Sequence, residues 1–170
     1  MKYKLVSMML ALITIYFVAP AKQAAQEYVD EAGRYKIALI GDWRPATYTD
    51  AVGRTKTEFV YGERSEALLR INRESLNRRS LDDIIRKEME GLRLCQPGVT
   101  VTADEKFDGG LLPGRRLAFC YFEGNRWVAA TFYFLRDRDT VWILRFTGRM
   151  GLLDANRDMT DQIARSFCPN

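Results

Sequence analysis

Apolar positions along this chain change period several times, and each change marks an element. From Gly33 to Leu39 they alternate, with Tyr35, Ile37 and Leu39 on one side, which predicts a first strand. Gly41-Asp42 turns the chain ahead of Trp43, Arg44 and Pro45. Thr47 to Thr57 has no apolar period and reads as a loop. Glu58 to Tyr61 and Ala67 to Arg73 predict two short strands around a Gly62-Glu63-Arg64-Ser65 turn. The period then lengthens. Leu81, Ile84, Ile85, Met89 and Leu92 form a helical stripe, with Ser80 as N-cap and Asp82 and Asp83 complementing the positive helix start. Pro97-Gly98 ends that helix.

The second half is dominated by strand patterns. Val99 to Phe107, Arg115 to Glu123, Arg126 to Leu135 and Thr140 to Gly148 form an antiparallel meander. Its turns are Asp108-Gly109-Gly110, Gly124-Asn125 and Asp137-Arg138-Asp139. The third strand is apolar on both sides, Trp127, Ala129, Tyr133 and Leu135 against Val128, Ala130, Phe132 and Phe134, so both faces of the sheet must be covered. Trp127 and Trp142 are expected in the core. A last helix from Leu152 to Phe167 carries apolar residues at three- to four-residue spacing. The predicted fold class is α+β: one mainly antiparallel sheet of six to seven strands sandwiched by helices.

The N-terminus follows a different pattern. Lys2 and Lys4, an apolar run from Leu5 to Val18 and then Ala19-Pro20-Ala21 are the three regions of a secretory signal peptide. The run spans roughly 21 Å at 1.5 Å per residue, short of a ~30 Å hydrocarbon core. Cleavage after Ala21, or after Ala25, is therefore expected. An uncleaved anchor through residues 5–21 is the alternative. Either places residues 22–32 as a polar tether and 33–170 as a single domain outside the cytoplasm, in a periplasm or its equivalent. With no Cys near the cut, a lipid-modified N-terminus is not expected.

Composition mainly excludes. The formal charge of +4 includes Lys2 and Lys4, so the remainder is nearly neutral and offers little to nucleic acid. The chain has no His, which removes Ser-His-Asp and Cys-His catalysis, His-ligated zinc and a His-based pH switch. No metal spacing or nucleotide fingerprint is present, so no cofactor is expected. Of the three cysteines, Cys95 and Cys120 fall at the same end of the predicted meander and Cys168 at the other. A Cys95–Cys120 disulfide with Cys168 unpaired is the expectation.

The candidate chemistry is sparse. Asp154, Asp158 and Asp161 share a helix face and read as solvated carboxylates. Asp104-Glu105 and the Asp137–Asp139 pair read as strand-edge and turn residues rather than as an acid–base pair. The Gly109–Arg116 segment lies between strands, so it is a hairpin loop and not a phosphate cradle. Its protruding Arg115 and Arg116, with Trp43, are the candidate partner contacts. Arg145 interrupts an apolar strand face and must pair, snorkel or face a pocket.

Gly33-Arg34-Tyr35-Lys36-Ile37-Ala38-Leu39, followed by Gly41-Asp42-Trp43 and by the order of elements through Phe167, resembles the PsbP-like group. That group contains extrinsic subunits of the oxygen-evolving complex and exported bacterial relatives. Ile40 stands where Pro is common there, and no metal site carries over residue by residue. The resemblance implies an α-β-α sandwich and an accessory role without catalysis. The leading reading is an exported, non-enzymatic module that docks on a membrane or envelope protein complex. A carrier of a small apolar ligand and a carboxylate-based hydrolase are the alternatives.

Overall fold

The computed structural model describes residues 25–53, 55–96 and 98–170. The expected signal peptide or anchor (1–21) and Pro97 lie outside the described residues. Ten strands and three helices are described: β1 (Gln26–Val29), β2 (Tyr35–Leu39), β3 (Trp43–Thr49), β4 (Thr55–Tyr61), β5 (Ala67–Ser75), α1 (Leu81–Cys95), β6 (Thr100–Phe107), β7 (Gly114–Glu123), β8 (Arg126–Asp137), β9 (Thr140–Arg149), α2 (Leu152–Ala155), α3 (Arg157–Ser166) and β10 (Cys168–Pro169). Seven strands form an antiparallel sheet in the order β3-β4-β5-β9-β8-β7-β6. The other three form a small sheet, β1-β2-β10. The predicted α+β sandwich is borne out.

Alternation along β8 creates two cores. Ala129, Tyr133 and Leu135 join Trp142, Leu144 and Phe146 beneath the small sheet, α2 and α3. Val128, Ala130, Phe132 and Phe134 face the other way, onto Ile84, Ile85 and Met89 of α1. The first turn of α1 is held by a capping box. Ser80 Oγ accepts from the Asp83 amide at 3.1 Å, and the Asp83 carboxylate accepts from the Ser80 amide at 2.8 Å. The β7–β8 hairpin turns on Gly124-Asn125, both at positive φ, the geometry a two-residue loop requires. Gly114 is obligatory for another reason: a Cβ there would lie 2.0 Å from the Phe134 carbonyl oxygen.

Three expectations need correction. Thr47 to Thr57 is not a loop but the hairpin of β3 and β4. The outer parts of both strands, 47–49 and 55–57, are largely exposed on both faces, so neither face carries an apolar series. The expected tether contains β1, which pairs with β2 and packs Tyr28 edge-on against Phe59 with ring centres 4.9 Å apart. The closing helix breaks at Asn156, whose side-chain amide donates to the Leu152 carbonyl at 2.8 Å.

Candidate functional site

The two faces of the large sheet are covered unequally. The small sheet and α3 cover one face; on the other the apolar side of α1 packs on β7, β8 and β9 and meets β5 only near its end, where Lys87 holds Glu74 at 2.7 Å. The same face of β4 and β5 therefore stays open, and Lys56, Arg70 and Asn72 are exposed on it. Arg70 and Arg145 are direct cross-strand partners, and two like charges so placed each need a counter-ion. Glu58 holds the Arg70 Nε at 2.6 Å, and Glu88 of α1 holds Arg145 at 2.5 Å. Arg145, the polar residue in an apolar face, is thus paired, and its guanidinium also sits 5.6 Å from the Phe132 ring centre.

The sheet also splits here. β4 pairs with β5 only from Phe59↔Leu69 to Tyr61↔Ala67, whereas β5 continues along β9 to Ser75. Beyond Glu58 and Arg70 the strands part. Among the described residues no strand pairs with 70–75 on the β4 side, and Arg79 reaches only the Ser75 carbonyl there, at 2.7 Å. The gap opens into a cleft of about 580 Å³ lined by Tyr48, Lys56, Glu58, Arg70, Asn72 and Arg145, with Asp30 and Arg34 among the residues that complete its wall. That is the volume of an ordinary ligand site. Every charged group named in its wall is engaged. Arg34 grips Asp30 through Nε at 2.7 Å and a second nitrogen at 2.8 Å, holding that carboxyl below its ordinary range. Glu58 also accepts from Tyr48 at 2.9 Å, which pushes the phenol up. Lys56 pairs with Asp50 at 3.1 Å. The cleft meets a second one, about 540 Å³, at Arg70; Arg64, Arg126 and Arg149 line it around Leu68 and Val128.

Most residues singled out from the sequence lie elsewhere. Trp43 is 2% exposed and packs on Phe146 and Tyr61, so it is core and not a partner contact. Arg116 is buried under α3, because even-numbered positions of β7 face that helix, and it is corrected likewise. Arg115 faces α1 and bridges Asp82 at 3.0 Å and Asp104 at 2.5 Å. The Gly109–Arg116 segment does not protrude; Gly110 lies against the α3 backbone at Arg165.

Asp161 is not solvated. It is buried, accepts from Tyr133 at 2.6 Å and lies 3.5 Å from the Arg116 Nε. Burial, with that bond to Asp161, drives the Tyr133 phenol well up, so it stays protonated. Glu105 and Arg157 complete this network between α3 and the sheet.

All three cysteines are free. Cys120 does lie opposite Thr100, at the end where α1 stops, as the topology requires. Its neighbours Phe119 and Tyr121 face α1, however, so its own side chain points to the opposite face from Cys95. The expected Cys95–Cys120 bridge fails on side-chain direction rather than on height. Among the described residues no group of three or more His, Cys, Asp or Glu is placed to hold a metal ion. No described helix is long and apolar enough to cross a membrane.

The cleft itself was missed because its signal is an interruption of pairing, which no local pattern records. The one legible trace was a set of charged and polar residues alternating with β-like ones, Lys56, Glu58, Arg70 and Asn72.

No family model matches the chain, and no curated protein matches it. Solved structures do. Cyanobacterial PsbP (CyanoP) of Synechocystis sp. PCC 6803 aligns with a TM-score of 0.61 at 15% identity, over 94% of this chain and 99% of its own. The Ran-binding protein Mog1p of Saccharomyces cerevisiae gives 0.61 at 10%, over 86% and 95%. LpqN of Mycobacterium tuberculosis, involved in cell envelope biogenesis, gives 0.56 at 10%, over 86% and 91%. At such identities the likeness is one of fold. The resemblance of the opening strand to the PsbP-like group is matched by the whole architecture, and the chain has the fold shared by CyanoP, Mog1p and LpqN.

Proposed function

We propose that the protein is an exported, non-enzymatic binding module that docks on a membrane or envelope protein partner by taking an extended segment of it into the cleft between β4 and β5. The observation that carries this reading is the internal strand β5, left unpaired on its β4 side beyond Leu69 among the described residues. From Arg70 to Ser75, β5 offers alternate backbone donors and acceptors to the cleft, and an added strand satisfies them. Charged side chains along the walls keep this edge from indiscriminate pairing.

The engaged charges support a binding role over catalysis. Asp30 is held ionised by Arg34, and Glu58 is already shared by Arg70 and Tyr48, so neither is poised as a general acid. A charged and hydroxyl-rich lining suits a peptide backbone better than a small apolar ligand. Two of the proteins sharing the fold are described through a binding partner or the cell envelope, which agrees with this reading without identifying the partner. Export rests on the order of charged, apolar and small residues through Ala21. A new N-terminus between Lys22 and Gln26 in protein from the native host is the expected mass-spectrometric result.

The docking test is site-specific photo-crosslinking in the native host from a probe at Asn72, in the cleft, and from one at Glu90, on the exposed side of α1. A discrete adduct from position 72 alone, lost when Arg70→Ala is added, is expected. Adducts of equal yield from both positions, or from 90 alone, would rule the cleft out.

A further inference from the structure

One exposed apolar cluster remains outside the cleft. Phe122 and Trp127, at the tip of the β7–β8 hairpin, are 50% and 49% exposed, and Met150 beside them is 58% exposed. The two rings meet edge to face at 5.6 Å, and the Met150 amide donates to the Trp127 carbonyl at 3.4 Å, which holds the Met150 backbone beside them. Trp127, expected in the core, is instead the one tryptophan presented to solvent; Trp43 and Trp142 are 2% and 5% exposed. Arg126 and Arg149 adjoin it on the opposite side of the same sheet edge. Neither has a carboxylate within ion-pairing distance among the described residues, while the nearby Glu123 accepts from Gln96 at 3.0 Å.

The chain enters at this end of the molecule. Gln26 pairs with Leu39, and only Ile40 to Asp42 separate Leu39 from Trp43. Trp43 opens the row that runs through Tyr61, Ala67, Gly148 and Ala129, just short of Trp127. The apolar run ending at Val18 precedes Gln26 by a stretch that reaches under about 30 Å when fully extended. An aromatic and thioether cluster flanked by unpaired arginines, at the end from which an apolar segment departs, has the composition of an interfacial contact.

We propose that this end of the domain seats on an anionic lipid surface, with Phe122, Trp127 and Met150 entering the headgroup region and Arg126 and Arg149 meeting lipid phosphates. This requires neither the cleft nor a protein partner. It also holds whether or not the leader is cleaved.

The probe is the full chain, in whichever N-terminal form it purifies, mixed with phosphatidylglycerol–phosphatidylcholine vesicles carrying brominated acyl chains. Sedimentation alone does not discriminate, because an uncleaved leader would bind by itself. Tryptophan emission does, since the other two rings are buried. A blue shift and bromine quenching are expected, both weakened by salt. Trp127→Phe should abolish the quenching. Arg126→Gln with Arg149→Gln should raise the lipid concentration needed by roughly tenfold. Phe122→Ser with Met150→Ser should do at least as much. Asn72→Ala, in the cleft and away from Arg126 and Arg149, should change nothing, which separates this proposal from the docking reading. Unchanged emission on brominated vesicles would overturn it, as would equal quenching on phosphatidylcholine alone, or quenching that survives Trp127→Phe. A protein surface covering the patch would give the first of these results.

Discussion

The two halves of the large sheet use the same backbone for opposite ends. Strands β7, β8 and β9 are covered on both faces, paired along their length and filled with Phe119, Phe132, Tyr133, Phe134 and Leu144. Strands β3, β4 and the far part of β5 are covered on one face only, and the ladder between β4 and β5 stops after a few residues. Burial on both sides demands apolar residues or, as at Arg116 and Arg145, ion-paired ones, except at the exposed strand ends that carry Arg126 and Arg149. Exposure on one side relaxes that demand, and a broken ladder leaves backbone groups available. The capacity to take up an added strand therefore lies where the sheet is least complete.

The sharpest test of this contrast is stability. Phe134→Ala, in the closed half, should cost about 3–5 kcal/mol in denaturant unfolding, because a fully buried ring leaves a cavity between β8 and α1. Thr57→Ala, in the open half, should stay within about 0.5 kcal/mol. Equal costs would erase the distinction.

Charge removal divides the halves in the same way. Asp161→Ala removes the buried carboxylate nearest Arg116 and the acceptor of the Tyr133 hydroxyl, leaving Arg116 only Glu105 at 3.6 Å, and should cost about 3 kcal/mol. Glu58→Ala breaks a pair whose arginine side chain is 56% exposed, and should cost under about 1 kcal/mol. Thermal unfolding of both variants under matched salt measures the difference.

What could be read from the sequence divides along the same line. The closed half is legible because burial writes itself into residue choice. β7, β8, β9, α1 and their turns all follow from apolar spacing, Ser80 and Gly124-Asn125. The open half is not: the outer parts of β3 and β4 are largely exposed on both faces, so no apolar series marks them and Thr47 to Thr57 reads as a loop. Arg116 and Asp161 mislead for the converse reason. A charged residue reads as exposed unless its partner is known, and theirs lie on different elements, far apart in sequence. Trp127 misleads because its strand is core for most of its length, while the ring itself lies past the end of the covering layer.

A smaller effect concerns the ends of elements. Ser80→Ala should cost about 1 kcal/mol by removing the acceptor for the Asp83 amide. Acid should act on the wall of the cleft. The carboxyl of Asp30 is held below its unfolded value by Arg34, so its contribution is complete above about pH 4 and is lost as pH falls through the lowered folded pKa. Asp30→Asn should therefore flatten the fall of stability between about pH 4 and pH 2, while leaving the slope above that range unchanged. The smallest effect expected is that of reductant. With Cys120 facing away from Cys95, dithiothreitol should leave the unfolding temperature unchanged, and peptide mapping should recover three free thiols.

Hydrogen exchange of the β5 amides tests the central claim most directly, measured on the isolated protein and on the complex recovered with it in gentle detergent. In the isolated protein, alternate amides between Arg70 and Ser75 should exchange rapidly while those of β8 stay protected. In the complex those same β5 amides should slow by at least about tenfold, the mark of backbone pairing with an added strand. Protection gained on α1 or at the β7–β8 hairpin, with 70–75 unchanged, would contradict the assignment of docking to the open half of the sheet.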